Sequence, residues 1–329
     1  MQAATLSVAN NGLDSDTCGS LAAPCRSISQ AIAHASEGDT LVVGPGRYGD
    51  LNGNRIFGEV GEETAAFGTP CSCMIQINKR LTLKSSDGAA VTVLDVGGIE
   101  VIGVLIEADG VVFGGRGQGF TIANAGSTGF IVQNTSHVTV VGNLAMHNGL
   151  NLNHGFVMVG SGHTIRENIA LGNRVAGFSI GGSGHTVSDN VASANGLGFQ
   201  LSFSGQFTRN VASSNGYAGG IVISGGVLEF HHNAVIGNES VGIVVFGQDA
   251  TMTDNNIFGN GTTGSNCGLL NVSGTVLTVP NNFWGAASGP GLDPADAIGE
   301  ACVGGGHPYP TLVDPVATKP FNISVKSGF

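Results

Sequence analysis

Between Val140 and Gly261 the chain repeats one pattern of apolar and polar positions six times. Each repeat carries two asparagines five residues apart: Asn143/Asn148, Asn168/Asn173, Asn190/Asn195, Asn210/Asn215, Asn233/Asn238 and Asn255/Asn260. Successive pairs follow after 25, 22, 20, 23 and 22 residues. Three positions before the first asparagine stand Val140, Ile165, Val187, Phe207, Phe230 and Met252, apolar throughout. The next position holds Val141, Arg166, Ser188, Thr208, His231 and Thr253. That column is mostly polar, as expected where side chains alternate across a strand and the neighbours of an inward column point out. Beyond the asparagine a strand resumes, as in Leu144-Ala145, Ile169-Ala170, Val191-Ala192 and Val211-Ala212. A third strand follows a glycine and alternates again. Phe178 and Ile180 are expected inward with Ser179 and Gly181 outward, and Phe199 and Leu201 inward with Gln200 and Ser202 outward.

A period near ~22 residues with no helical spacing inside it marks a solenoid of short strands. The pattern predicts an all-β fold, a right-handed parallel β-helix with three strands per coil and coils ~4.8 Å apart. Asparagine at the bends is expected to take left-handed backbone angles and to stack its amides as a ladder along the axis. Glycine serves the other corners, which accounts for 55 glycines without invoking flexibility.

The whole chain, 1–329, reads as one such domain. A loop and an N-terminal amphipathic helix cap occupy 5–38, coils run over 39–279 with an excursion at 49–75, and a last coil and C-terminal cap fill 280–329. Ser27 with Gln30 suggests a capping box; Ile28, Ala31, Ile32 and Ala35 make one apolar face, and Gly38 closes the helix. The excursion, with Asp50, Arg55, Glu59, Glu62 and Glu63, either walls a groove or packs over a flank.

Charge narrows the partners. A net charge of −11 with twelve Lys and Arg argues against nucleic acid or an anionic membrane, and no apolar run approaches the ~18 residues of a membrane span. Six cysteines without zinc-finger spacing suit an oxidising compartment, and hence a secreted, periplasmic or cell-surface location. Cys18 and Cys25 suit a staple of the N-terminal loop, and Cys267 and Cys302 suit a pin on the last coil. Cys71 and Cys73 are too close in sequence for an unstrained bridge in an ordinary strand, which leaves their pairing open. The start Met1-Gln2-Ala3-Ala4 reads as a mature start with an added methionine.

The run from Cys18 to Cys25, the helix Ser27–Ile32 and the segment Gly38-Asp39-Thr40-Leu41-Val42-Val43-Gly44-Pro45-Gly46-Arg47-Tyr48 resemble the opening of secreted right-handed β-helix proteins of the pectin-lyase-like superfamily. Asn281-Asn282-Phe283-Trp284-Gly285 through Asp293 resembles their final coil. The resemblance implies the fold over nearly the whole chain. For activity it implies a broad choice: polysaccharide lyases, glycoside hydrolases, epimerases, phage tailspikes, adhesins and accessory proteins of copper-enzyme maturation.

Chemistry is concentrated in the column one position before each first asparagine: Gly142, Glu167, Asp189, Arg209, His232 and Asp254. Arg166, His231, Gln206 and Glu229 lie beside it, so a polysaccharide laid along the long face meets a polar strip. Elimination from a uronic acid needs its carboxylate neutralised, by Arg or by calcium, and a base for the C5 proton. Arg209 suits the first role, and His231 or His232 the second. Hydrolysis needs two carboxyl groups, for which Glu167/Asp189 and Glu229/Asp254 are the candidates. The bland alternative is a charge ladder that fixes coil register in a non-catalytic structural or adhesive β-helix.

Weaker signals lie elsewhere. The insertion from His147 to His154 brings out Asn151, Asn153 and His154 as substrate-binding candidates. With Met146 and Met158 it offers donors for a copper-type ion, and hence a metal-accessory reading. Both methionines, however, fall on core positions of the repeat. His163 and His185 each follow Ser-Gly and read as a turn ladder. Asp14 and Asp16 have the spacing of a calcium loop.

Overall fold

Strand-period alternation, not helical spacing, governs the computed structural model, which describes residues 3–63, 71–150, 153–226, 228–247, 250–261, 266–302 and 308–324. The chain is an all-β, right-handed parallel β-solenoid. It divides into two compact units, the first ending at Arg174 and the second beginning at Val175.

In the first unit three rows of parallel strands stack coil upon coil. One row runs Thr5–Val8, Thr40–Val43, Thr82–Ser85, Val112–Gly114, Thr139–Val141 and Thr164–Arg166. A second runs Cys73–Ile77, Ile102–Ile106, Phe130–Ser136 and Phe156–Ser161. The third runs Gly46–Gly49, Thr92–Asp95, Thr121–Ala123, Leu144–Met146 and Ile169–Leu171. In the second unit Ala176–Ser188 and Leu197–Thr208 are long strands that bend through a corner. After them the row splits into Gly219–Gly225 and Leu228–His231, then Ile243–Val245 and Ala250–Thr253. Val191–Ser193, Val211–Ser213, Ala234–Ile236 and Asn256–Phe258 form the facing row.

The inward columns of the sequence are the core. Val140, Ile165, Val187, Phe207, Phe230 and Met252 are all fully buried, as are Ala145, Ala170, Ala192 and Ala212. Phenylalanine rings fill the coils in series. In the first unit Phe113 meets Phe130 at 4.9 Å and Phe130 meets Phe156 at 5.6 Å; in the second Phe178 stacks on Phe199 at 4.9 Å and Phe207 on Phe230 at 5.1 Å. Each such ring contributes on the order of 2–3 kcal/mol by leaving water.

Asparagine behaves differently from expectation in one respect. The ladders form: in the second unit Asn190, Asn210, Asn233, Asn255 and Asn282 are linked amide to amide, and Asn195, Asn215, Asn238 and Asn260 end on the Asp296 carboxylate. The left-handed residue, however, is the one before each ladder asparagine. Glu167, Asp189, Arg209, His232 and Asp254 have φ between 54° and 59°, and His147, Ala194 and Ser214, before the second asparagine, have φ between 53° and 55°. Burying the asparagine amide requires the turn to precede it, so the strained residue is the neighbour that faces out.

Met146 is a second difference. Met158 is buried as the repeat demands, but Met146 lies on the outward side of Leu144–Met146 and is only half-buried.

Among the described residues one α-helix forms, Ile28–His34, and it buries Ile28, Ala31 and Ile32. Ser27 Oγ accepts from Gln30 N, but the reciprocal half of the capping box is missing. The Gln30 amide turns to Ser15 O and His34, while Asp14 accepts from Ser27 N and the Glu63 carboxylate accepts from Ile28 N, Ser29 N and Ser29 Oγ. The carboxyl oxygens of Asp14 and Glu63 thus take the donors that the Gln30 amide oxygen would otherwise meet. The excursion therefore packs over the start of the helix through residues 50–63; residues 64–70 lie outside the described ones.

All six cysteines are paired: Cys18–Cys25, Cys71–Cys73 and Cys267–Cys302. The first pair closes a loop that covers the free edge of the first strand, with Ser7 N donating to Gly19 O, and Cys25 N and Ala9 N completing the edge. Replacing Cys18 and Cys25 by serine is expected to lower stability by about 2–3 kcal/mol, the entropy released by so short a loop. Denaturant titration of the double variant against wild type checks this; an unchanged midpoint would mean that the edge hydrogen bonds hold the loop alone.

Candidate functional site

Alternation alone would turn the residue before each first asparagine inward, since three positions before it the chain points in. The left-handed turn reverses it. Two consecutive side chains then face out together, at a backbone cost of roughly 1–2 kcal/mol for a residue other than glycine. The same turn recurs in every repeat, so it belongs to the fold. What varies is the chemistry placed on it.

In the first unit the turn carries Arg166 and Glu167. Glu167 is 3% exposed, and Arg116, two coils earlier, grips both of its oxygens through Nε and Nη2 at 2.8 Å. Arg166 Nη1 adds a third contact at 2.7 Å. The Arg116 hydrogen bonds, and then the positive charge of both guanidiniums, hold the Glu167 carboxyl below the usual range. A glutamate so held is a poor proton donor. Gly142, its counterpart one coil before, brings no side chain.

The second unit carries Asp189, Arg209, His232 and Asp254 in the same column. Arg209 forks onto Asp189, Nε to Oδ1 at 2.8 Å and Nη2 to Oδ2 at 2.7 Å. This bond first, and the charge of Asp189 with it, raises the guanidinium's pKa. Gln206 Nε2 donates to Glu229 at 3.2 Å, and Asn281 donates to Asp254 Oδ1.

Most telling are the two histidines. Their Nδ1 atoms lie 3.0 Å apart with the rings nearly perpendicular, and Phe321 packs edge-on to His232. Burial first, and then His232, pushes the His231 pKa below the ordinary histidine value; Arg209 adds to this while Glu229 and Asp254 oppose it. Among the outward neighbours, His231 and Arg166 reach the surface, whereas the shorter Val141, Ser188 and Thr208 are covered.

The remaining candidates are scattered. Asn151 lies outside the described residues. Asn153 is half-buried, and so is His154, whose pKa burial lowers. His147 is exposed, with its ring against Gly172. His163 and His185 are both buried: His163 Nδ1 accepts from Val138 N, and His185 pairs with Gly181 O and the Phe203 ring. Asp14 Oδ1 accepts from Arg26 N and Ser27 N, and Asp16 is exposed. Among the described residues, the one three-residue cluster of metal-binding side chains is Cys18, Cys25 and His34, whose sulfurs are joined as a disulfide.

Sequence reasoning missed Arg116, Asn281 and Phe321. Arg116 precedes the regular repeats, so no column contained it. The alignment of Val112–Gly114 with Thr139–Val141 and of that strand with Thr164–Arg166 is what brings it to Glu167. Phe321 belongs to the C-terminal segment, which carries no repeat signal.

Residues 102–258 match the family model of a right-handed beta helix region. No curated protein matches the chain. Among solved structures, a rhamnogalacturonan lyase aligns with a TM-score of 0.63 at 12% identity, covering 96% of this chain and 89% of its own. Pectate lyase Pel9A aligns with a TM-score of 0.59 at 18% identity, covering 97% and 79%. The A-module of the mannuronan C-5 epimerase AlgE6 of Azotobacter vinelandii gives 0.53 at 19% identity, covering 90% and 95%. At such identities the likeness is one of fold. The bonded cysteines fit an extracellular location, and no helix among the described residues is long and apolar enough to cross a membrane.

Proposed function

We propose that this chain, with its pectin-lyase-like parallel β-helix fold, is a secreted polysaccharide lyase that acts on a uronic-acid polymer at the His231–His232 pair. The observation that carries the reading is the 3.0 Å contact between the two Nδ1 atoms. Two neutral imidazoles make that contact only if one donates its Nδ1–H and the other accepts. The donor ring then has a lone pair on Nε2, and the acceptor ring has a proton on Nε2. One ring is thus a base and its neighbour an acid, on the same side of the substrate.

β-Elimination uses both. The base Nε2 takes the C5 proton, the C5–H electrons form the C4–C5 double bond, the C4–O bond breaks, and the departing oxygen takes the proton of the other Nε2, while the shared Nδ1 proton passes from the base ring to the acid ring so that both end neutral. Arg209 stands one coil away; two of its five N–H donors go to Asp189, and the others can hydrogen-bond the uronate carboxylate, which lowers the cost of the developing carbanion. Epimerisation would return a proton to the opposite face, where this pair offers nothing. Hydrolysis would need a protonated carboxyl, a role that Glu167, held below the usual range by two guanidiniums, is poorly suited to fill.

The base works only when neutral, so its lowered pKa sets the acid limb of the rate profile. With His231 as the base, kcat/KM is expected to hold as pH falls past the ordinary ~6.5 of histidine and to be lost only below the lowered His231 pKa. Glu229→Gln and Asp254→Asn each remove a carboxylate that favours the imidazolium, so each should move the limb further down. A limb at or above ~6.5 in the wild type contradicts His231 as the base.

A further inference from the structure

We propose that Asn256, acting through Phe321, is a positioning residue for the histidine pair: it anchors the C-terminal segment so that the Phe321 ring keeps the His232 imidazole in contact with His231. The role in the reaction rests on the lyase reading above; the hold on the His232 ring does not.

The position after each first asparagine holds Leu144, Ile169, Val191, Val211 and Ala234, and then Asn256. The repeat asks for an apolar residue there, and the coil that follows the histidines departs from it. Asn256 is 5% exposed, and a buried amide requires partners. It finds them in the backbone of Phe321. Asn256 Oδ1 accepts from Phe321 N and its Nδ2 donates to Phe321 O, both at 2.9 Å. One side chain thus satisfies both backbone groups of a residue outside the coils, as a paired strand would. Upstream, Ala317 N donates to Asn282 O and Asn281 N donates to Pro315 O. The segment therefore runs back along the stack, from the coil of Asn282 to that of Asn256, and this course brings Phe321 to His232.

His232 has need of such a hold. It is exposed, and an exposed side chain left to itself changes rotamer within picoseconds to nanoseconds. Its ring meets His231 through the 3.0 Å contact between Nδ1 atoms, and it meets Phe321 edge-on, with centroids 6.1 Å apart at 65°. A hydrogen bond between two imidazoles near water competes with water for the same atoms. A packed ring beside it confines His232 and so favours the contact with His231. Ordering of this kind, complete before substrate arrives, removes a cost that would otherwise fall on the reaction.

Kinetics on a uronic-acid polymer that the protein cleaves, together with nitrogen NMR of the imidazole rings, test the proposal in wild type, Asn256→Ala, Phe321→Ala and Phe321→Tyr. In wild type the pair should show two different fixed tautomers, one ring protonated on Nδ1 and its neighbour on Nε2. Asn256→Ala and Phe321→Ala should each mix the tautomers and lower kcat by about 10–100-fold, with KM within about twofold of wild type. Phe321→Tyr keeps the ring and should stay near wild type. Because Asn256 acts through Phe321, the double alanine variant should fall no further than the worse single one. Phe321 is only half-buried, so Phe321→Ala carries the test if Asn256→Ala fails to fold. Wild-type kcat and fixed tautomers in folded Phe321→Ala, or a raised KM at wild-type kcat, overturn the positioning role. Fixed tautomers that Phe321→Ala abolishes, in a wild type that cleaves no uronic-acid polymer, would sink the lyase reading and leave the hold on His232 standing.

Discussion

Asn215→Ala is expected to destabilise the protein by about 4 kcal/mol, a large part of the 5–15 kcal/mol that holds an ordinary domain together. Asn215 is fully buried. Its Oδ1 accepts from Asn195 N at 3.1 Å and Asn195 Nδ2 at 3.2 Å, and its Nδ2 donates to Ala192 O at 3.1 Å and Asn238 Oδ1 at 2.9 Å. Alanine removes all four bonds and strips two neighbouring coils of partners that water cannot replace, each worth roughly 1–3 kcal/mol when lost. Ser213→Ala, two residues away on the outward side, should change stability by less than about 0.5 kcal/mol. Urea titration of the two variants decides the matter. Similar midpoints would show that the amide ladder contributes no more than a surface hydroxyl.

The second large effect is catalytic. His231→Ala and His232→Ala should each reduce kcat by a factor on the order of 10²–10⁴, the usual worth of a positioned acid or base. Because the rings pass a proton between them as a unit, the double variant should fall no further than the worse single one. Both histidines lie on the outward side, so thermal midpoints should stay close to wild type. Two independent, multiplicative losses would contradict the shared-proton arrangement even if activity is lost.

The coils were legible because the physics that forms them is written at fixed spacing. Val187, Phe207 and Phe230 recur at the same offset from Asn190, Asn210 and Asn233, and strand alternation converts that offset into a core column. The ladder was legible for the same reason. The left-handed turn was misplaced by one residue, because the tolerance of asparagine for such angles is real but here its amide is needed inside.

The site was only partly legible. Column reasoning brought His231, His232 and Arg209 to one face, since each sits at a repeat-defined position. It did not show that consecutive residues such as Arg166 and Glu167 would touch; that follows from the turn reversing one of them. Nor did it find Arg116, because the coil that carries it lacks the asparagine pair by which the others align. Charge alone made Glu167 look like a catalytic acid. Geometry makes it an ionised anchor for two guanidiniums.

The most direct test of the central claim is to incubate the folded wild-type protein with a panel of uronic-acid and neutral polysaccharides and follow ultraviolet absorbance of the unsaturated C4–C5 product. The account predicts a rise with at least one uronic-acid polymer, none with neutral chains, and none from the His231→Ala variant. Folded protein that yields no unsaturated product from any uronic-acid polymer, or that yields only new reducing ends, would contradict it.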